Sequence, residues 1–239
     1  GTLADTEREG HRVAFNEAFA EAGLDWFWDE ALYGLLLKVT GGKQRMHHYL
    51  REFYDGLIPE SVDQLIVDLH ARKNYFYQRL LAEGRIPLRP GVKRLMLEAK
   101  EQGVTLAIAT TTTPGNVSAL LEATLGKESL DWFAVIAAGD MVPALKPAPD
   151  VYLYTLDQLG FSARECVAVE DSFNGLQSAL SAGLPTLVTT NAYTRSDDFS
   201  GAALTVDGLG EPGAVCGLLS GSLAGESMIT MNVLRTLVD

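Results

Sequence analysis

Between residues 92 and 206, short apolar runs alternate with segments of helical period, and this alternation restricts the fold more than any other feature of the chain. Helical patterns at 92–102, 116–125, 150–159 and 175–182 separate apolar runs at 104–109, 135–137, 166–169 and 186–189, with a weaker run at 203–206. Apolar runs of this kind, bounded by polar residues, suit strands covered on both faces. Their alternation with helices predicts an α/β class, a doubly wound, Rossmann-like parallel sheet. Open sheets of that class bind ligands at the carboxyl ends of their strands. The residues that follow each run are therefore where function should be sought.

The run 166–169 stops at two adjacent carboxylates, Glu170 and Asp171, followed by Ser172-Phe173-Asn174-Gly175. Two acids side by side repel each other and are costly to desolvate, so a hard cation is a natural partner. A surface turn with Asp171 or Ser172 as helix N-cap is the alternative reading. The run 104–109 stops at Thr110-Thr111-Thr112-Thr113-Pro114-Gly115-Asn116. Hydroxyls and free backbone N–H groups just ahead of a helix can cradle a phosphate, or they can form a Thr-rich turn that caps the helix. Between the two runs, Lys146 is set beside Pro147 and Pro149, which suit the first turn of the helix at 150–159.

The first third of the chain reads differently. Helical periodicity dominates 7–83, with apolar faces at Val13, Phe15 and Phe19, at Leu32, Leu35, Leu36 and Val39, at Met46, Tyr49, Leu50 and Phe53, and along 62–81. The breaker-rich segment 83–91 reads as a linker, which gives an α/β core at 1–6 and 86–239 interrupted by a helical domain at 7–85. The Gly/Ser-rich segment 217–225 reads as a flexible connection to a last element at 227–238. Within the helical domain, Thr40-Gly41-Gly42-Lys43-Gln44-Arg45 places two cations at a helix start, where an anion could sit. A helix C-cap followed by a solvated basic turn is the plainer reading of the same residues. Lys73 lies in an otherwise aromatic stretch, Tyr75-Phe76-Tyr77, and Glu7 and His11 lie close to the start of the chain.

Taken in order, Gly1-Thr2-Leu3, the hydroxyl-ended strand, Lys146-Pro147 and Glu170-Asp171-Ser172 resemble the haloacid dehalogenase (HAD) superfamily of phosphotransferases. The helical insert is similar to the small cap of its phosphoglucomutase-like branch. Phe15-Asn16-Glu17-Ala18-Phe19, Trp26-Phe27-Trp28-Asp29, Thr40-Gly41-Gly42-Lys43 and the string from Gly139 to Asp150 resemble the CbbY-like group in particular. The resemblance implies a magnesium-dependent sugar-bisphosphate phosphatase, with xylulose-1,5-bisphosphate as substrate and an aspartyl-phosphate intermediate. It further implies that Thr110 and Lys146 are catalytic, that Glu170 and Asp171 serve the metal, and that Thr111, Glu7, His11, Lys43, Arg45 and Lys73 bind substrate. The family's first motif is Asp-x-Asp-Gly-Thr-[Leu/Val], so its nucleophilic and acid/base aspartates would lie just ahead of Gly1. A β-phosphoglucomutase-like mutase, which shares the four motifs, and a non-catalytic HAD-like binding protein are the rival expectations.

Composition is in keeping with an enzyme of small molecules. The 239 residues are 47% hydrophobic, enough for a core and a smaller domain. A net charge of −12 argues against nucleic acid or an anionic membrane as partner. The expected partner is a small sugar phosphate, with a monomeric chain. Two cysteines, Cys166 and Cys216, give no disulfide framework. A cytoplasmic location is expected, or the plastid stroma if a transit peptide precedes Gly1.

Overall fold

The computed structural model describes residues 1–58 and 61–238; positions 59, 60 and 239, included in the expected domain ranges, lie outside the described residues. The chain forms two compact units, one of residues Gly1–Asp5 with Pro87–Asp239 and one of Thr6–Ile86.

The second unit is helical. A π-helical turn, Glu7–His11, leads into α1 (Arg12–Glu21), followed by α2 (Glu30–Leu36), α3 (Gly42–Glu52) and the long α4 (Val62–Ala82). Gly41 and Gly42 begin α3; they do not end α2, which stops at Leu36. An aromatic cluster fills the interior: the Trp28 ring centroid lies 4.7 Å from that of Phe15 and 4.9 Å from that of Phe19. Asn16 fixes this tryptophan, accepting from Trp28 N at 2.8 Å and donating to Trp28 O at 2.9 Å. Such a pair satisfies a buried peptide where no helix partner is available.

The first unit alternates as expected: α5 (Val92–Glu101), β1 (Leu106–Ala109), α6 (Pro114–Leu125), β2 (Phe133–Ala137), α7 (Asp150–Leu159), β3 (Ala168–Glu170), α8 (Phe173–Ser181), β4 (Thr186–Thr189), β5 (Leu204–Val206), β6 (Leu218–Ser220) and α9 (Met231–Arg235). Among the described residues the strands form two sheets, a parallel β1-β2 pair and a β3-β4-β5-β6 sheet in which only β6 is antiparallel. All four residues of β4 are buried. Leu187, Leu204 and Val206 pack with Val92, Met96, Leu121 and Phe133, while Ala168 packs with Val151, Tyr152 and Ala179.

Three sequence expectations need correction here. Cys166 is not in a strand: it closes a turn on Ala163 O, and the ladder starts at Ala168, which is paired with Thr186. The helix after the acid pair starts at Phe173, because Ser172 accepts from Gly175 N and so caps it two residues earlier than the pattern suggested. Segment 217–225 is not simply a connection, since Leu218–Ser220 pairs with β5 as an exposed edge strand.

Candidate active site

Lys146 joins two strand ends. Its Nζ donates to the carbonyl of Ala109, the last residue of β1, at 2.9 Å, and pairs with Glu170 Oε1, at the end of β3, at 2.5 Å. The Glu170 side chain is buried, at 5% exposed, and that of Lys146 is largely covered, at 11%. An ammonium has three N–H groups, so one remains beyond these two bonds, with the Tyr152 ring centroid 4.8 Å from Nζ. Glu170 also accepts from the Tyr152 hydroxyl. Burial, and then the neighbouring carboxylate, pushes the Tyr152 phenol well above its ordinary range, so it stays a donor. A Cβ at residue 175 would collide with the Glu170 carboxylate, which is why glycine stands there.

Asp171, next in the chain, faces different partners: Thr2 Oγ1 donates to its Oδ1 at 3.0 Å and Asn191 Nδ2 to its Oδ2 at 2.9 Å. The two acids, adjacent in sequence, therefore do separate work. Glu170 is paired with Lys146, whereas no lysine or arginine side chain lies within ion-pair distance of Asp171 among the described residues.

The threonine run forms the loop between β1 and α6. Thr110 N donates to Ala137 O at 3.0 Å, and its hydroxyl accepts from Thr112 N at 3.2 Å. Gly139 N donates to Thr112 O at 3.1 Å, and a Cβ there would sit 2.5 Å from Thr111 O, so this approach requires glycine. Asn116, 4% exposed, donates to Thr112 Oγ1 at 3.0 Å. Its Oδ1 is buried and finds no hydrogen-bond partner among the described residues.

In the helical unit, a second polar group is assembled. The Tyr33 hydroxyl donates to Glu7 Oε2 at 2.6 Å and accepts from Arg45 at 2.9 Å, and the Arg45 guanidinium also lies over the Tyr33 ring at 5.2 Å. Lys73 is 5% exposed, flanked by the Phe15 and Tyr77 rings, and makes a long bond to Asn74 at 3.4 Å. Burial lowers its pKa to about 7, with Glu7 opposing the fall and Arg45 adding to it. The His11 ring lies 4.1 Å from that of Tyr77. Burial, then Lys73 and Arg45, holds its imidazole well below the usual range. His70, from the same helix as Lys73, is brought down to about 4 by burial and by Lys73 and Lys43. Lys43 itself is exposed, the second residue of α3. Buried His11 Nδ1 and Arg45 Nε find no hydrogen-bond partner among the described residues. Arg45 lies 3.7 Å from the Glu7 carboxylate and Lys73 feels the same acid, so two cations share one carboxylate beside the neutral His11 ring among the described residues. That imbalance suits an anion.

The sequence reading missed Tyr152, Tyr33, His70 and Asn191. Asn191 alone carried a usable signal, since β4 ends in Thr189-Thr190-Asn191 much as β1 ends in threonines.

Among the described residues, no group of three or more His, Cys, Asp or Glu could hold a metal by itself, and no helix is long and apolar enough to cross a membrane. Residues 1–183 match the haloacid dehalogenase-like hydrolase family. The chain is 49% identical over 217 residues to Protein CbbY, plasmid, of Cupriavidus necator, covering 89% of this chain and 84% of that one. It superposes on CbbY from Rhodobacter sphaeroides in complex with phosphate with a TM-score of 0.80 at 47% identity, covering 87% of this chain and 90% of that one. A mutant of the same protein, in complex with xylulose-(1,5)bisphosphate, gives the same TM-score, identity and coverage. With a strand-end lysine, an acid pair and this degree of likeness, the chain belongs to the haloacid dehalogenase-like hydrolases and, within them, to the CbbY-like family.

Proposed function

We propose that this chain is a magnesium-dependent phosphatase of a sugar bisphosphate such as xylulose-1,5-bisphosphate. The observation that carries the reading is Lys146, whose ammonium ties the threonine-ended strand to the acid-ended one. A cation held there can offset charge on a phosphoryl group as it transfers. Thr110 and the N–H of Thr111 would bind oxygens of the reacting phosphate at the same strand end. In the family's mechanism an aspartate of the Asp-x-Asp-Gly-Thr-Leu motif attacks the phosphate, and this chain carries the Gly-Thr-Leu part of that motif at residues 1–3.

The oxygen donors at the end of β3 fit a hard divalent ion, with Asp171 as the carboxylate that would bind it and Glu170 held back by Lys146 and Tyr152. Bound magnesium would screen the phosphate from an attacking carboxylate. Glu170 would act indirectly, by holding the Lys146 ammonium in place.

The second phosphate would fall to the helical unit, where Lys73, Arg45 and Lys43 supply cations, Glu7 orients Arg45 through Tyr33, and His11 offers a neutral ring. Release of inorganic phosphate from xylulose-1,5-bisphosphate by the full-length protein tests the reading. Conversion of a sugar monophosphate to its isomer, without net phosphate release, would mean a mutase.

The Lys73 environment adds a pH dependence. Its folded pKa, about 7, lies below the ordinary lysine value of 10.5. Between those limits the unfolded chain binds more protons, so Lys73 makes the protein more stable as pH rises through that window. Anion binding runs the other way, because only the ammonium attracts phosphate. Above pH 7, KM for a bisphosphate is expected to rise up to about tenfold per pH unit, one proton being taken up per ligand. Substrate phosphates are already dianionic there, their second pKa being about 6. Steady-state kinetics from pH 6 to 9 checks this, and a flat KM would remove Lys73 from the phosphate site.

A further inference from the structure

We propose that Asn191 is a positioning residue that aims the Asp171 carboxylate at the metal. The inference rests on the reading of Asp171 as a magnesium ligand and extends it to a loop that no family motif covers. Asn191 lies two residues beyond the end of β4, and both ends of its side chain are committed. Oδ1 accepts from Tyr193 N at 2.8 Å and from Thr194 N at 3.2 Å, a turn the amide builds on its own backbone. With the oxygen fixed by two N–H donors, only the NH₂ can face Asp171, and Nδ2 reaches Asp171 Oδ2 at 2.9 Å. The turn is closed again by Asn191 N donating to Thr194 Oγ1 at 3.1 Å.

The base of this loop is held by Arg89. Arg89 donates to Thr189 O at 3.1 Å, to Thr189 Oγ1 at 3.0 Å and to Thr190 O at 2.5 Å. Thr189, Thr190 and Thr194 are all buried. Further along, Asp197 Oδ2 accepts from Phe173 N at 3.4 Å, at the start of α8. The loop thus holds the Asp171 side chain and also the helix that follows it. Thr2 occupies the other carboxylate oxygen. With both oxygens bonded, rotation of the Asp171 carboxyl is restricted before any cation arrives. Groups that orient a metal ligand in this way typically account for about 10–100-fold in metal affinity.

Two substitutions separate positioning from turn-building. Asn191→Ser keeps a short acceptor for the turn but cannot reach Asp171. Asn191→Asp keeps the Oδ1 acceptor and the size, yet sets a carboxylate where the NH₂ was. Magnesium binding to the full-length protein is measured by calorimetry between pH 5 and 8, with thermal melting alongside. Expected for Asn191→Ser is about a 10–100-fold weaker affinity with an unchanged melt. Asn191→Asp should acquire a pH dependence, its affinity tightening as pH rises, because two facing carboxylates share a proton that the cation must displace. If both variants bind magnesium with the parent's affinity and pH profile, the inference is overturned. It is equally overturned if Asn191→Ser loses affinity only along with its fold while Asn191→Asp behaves as the parent, since Asn191 then merely builds a turn. Failure of the underlying metal reading has a different signature: the parent itself would show no magnesium binding that depends on Asp171.

Discussion

Asp171→Asn in the full-length protein is expected to abolish magnesium binding and, with it, phosphate release. The substitution is nearly isosteric, and the amide oxygen can still accept from Thr2 or Asn191, so the fold should survive. What goes is charge. Asp171 is the acid of the pair that no lysine or arginine side chain neutralises among the described residues, because Lys146 and Tyr152 engage Glu170. A hard cation gives up water only to carboxylates or comparable oxygens, and an amide carbonyl carries no net charge to offset that loss. Calorimetric titration with magnesium is the direct measurement, with phosphate release as the second. Unchanged affinity would show that Asp171 is not the ligand, and Asn191 would lose its proposed role with it.

Much of this site could be read from the chain because it lies at the ends of strands. A run such as 104–109 or 166–169 announces a strand, and the polar residues that follow must sit at its carboxyl end. Thr110, Glu170 and Asp171 were singled out in this way, and Lys146 by its place beside Pro147 and Pro149. What could not be read is which of two adjacent acids faces which partner. Glu170 is the last residue of β3 and Asp171 the first beyond it, and the two side chains diverge, so Glu170 meets Lys146 and Tyr152 while Asp171 meets Thr2 and Asn191. Those partners lie 18 to 169 positions away in the chain, and no local pattern records such distances.

The helical unit was legible in outline and opaque in its electrostatics. Periodicity found its helices, yet Tyr33 gave no sign that it would join Glu7 to Arg45, since a tyrosine on an apolar helix face reads as core. It is core as well, fully buried against Phe15 and Trp28. The shortfall at the edge strand has another cause. Leu218-Leu219 is exposed on an outer strand, so the segment lacks the buried alternation that reveals inner strands, and its glycines suggested a linker.

Lys146→Met should lower both stability and turnover, and the two losses should respond differently to a second substitution. Methionine matches the length and apolar stem of lysine, so little volume changes. Glu170, however, is left buried and charged, with the Tyr152 hydroxyl as its remaining side-chain donor. Stranding one member of a buried ion pair costs about 3–5 kcal/mol. For a chain of this size, that corresponds to a fall in Tm of roughly 10 °C. Adding Glu170→Gln removes the stranded charge while keeping an acceptor for Tyr152. Because a buried pair replaced as a whole is often neutral, the double variant should regain most of the lost stability. Turnover should stay about 100–1,000-fold down in both variants, since nothing replaces the cation at the transferring phosphoryl group. Urea titration and kcat for the parent, the single and the double variant decide it. Restored stability with turnover still lost would separate what Lys146 does for the fold from what it does for the reaction. Parental turnover in the double variant would show that this ammonium takes no part in phosphoryl transfer.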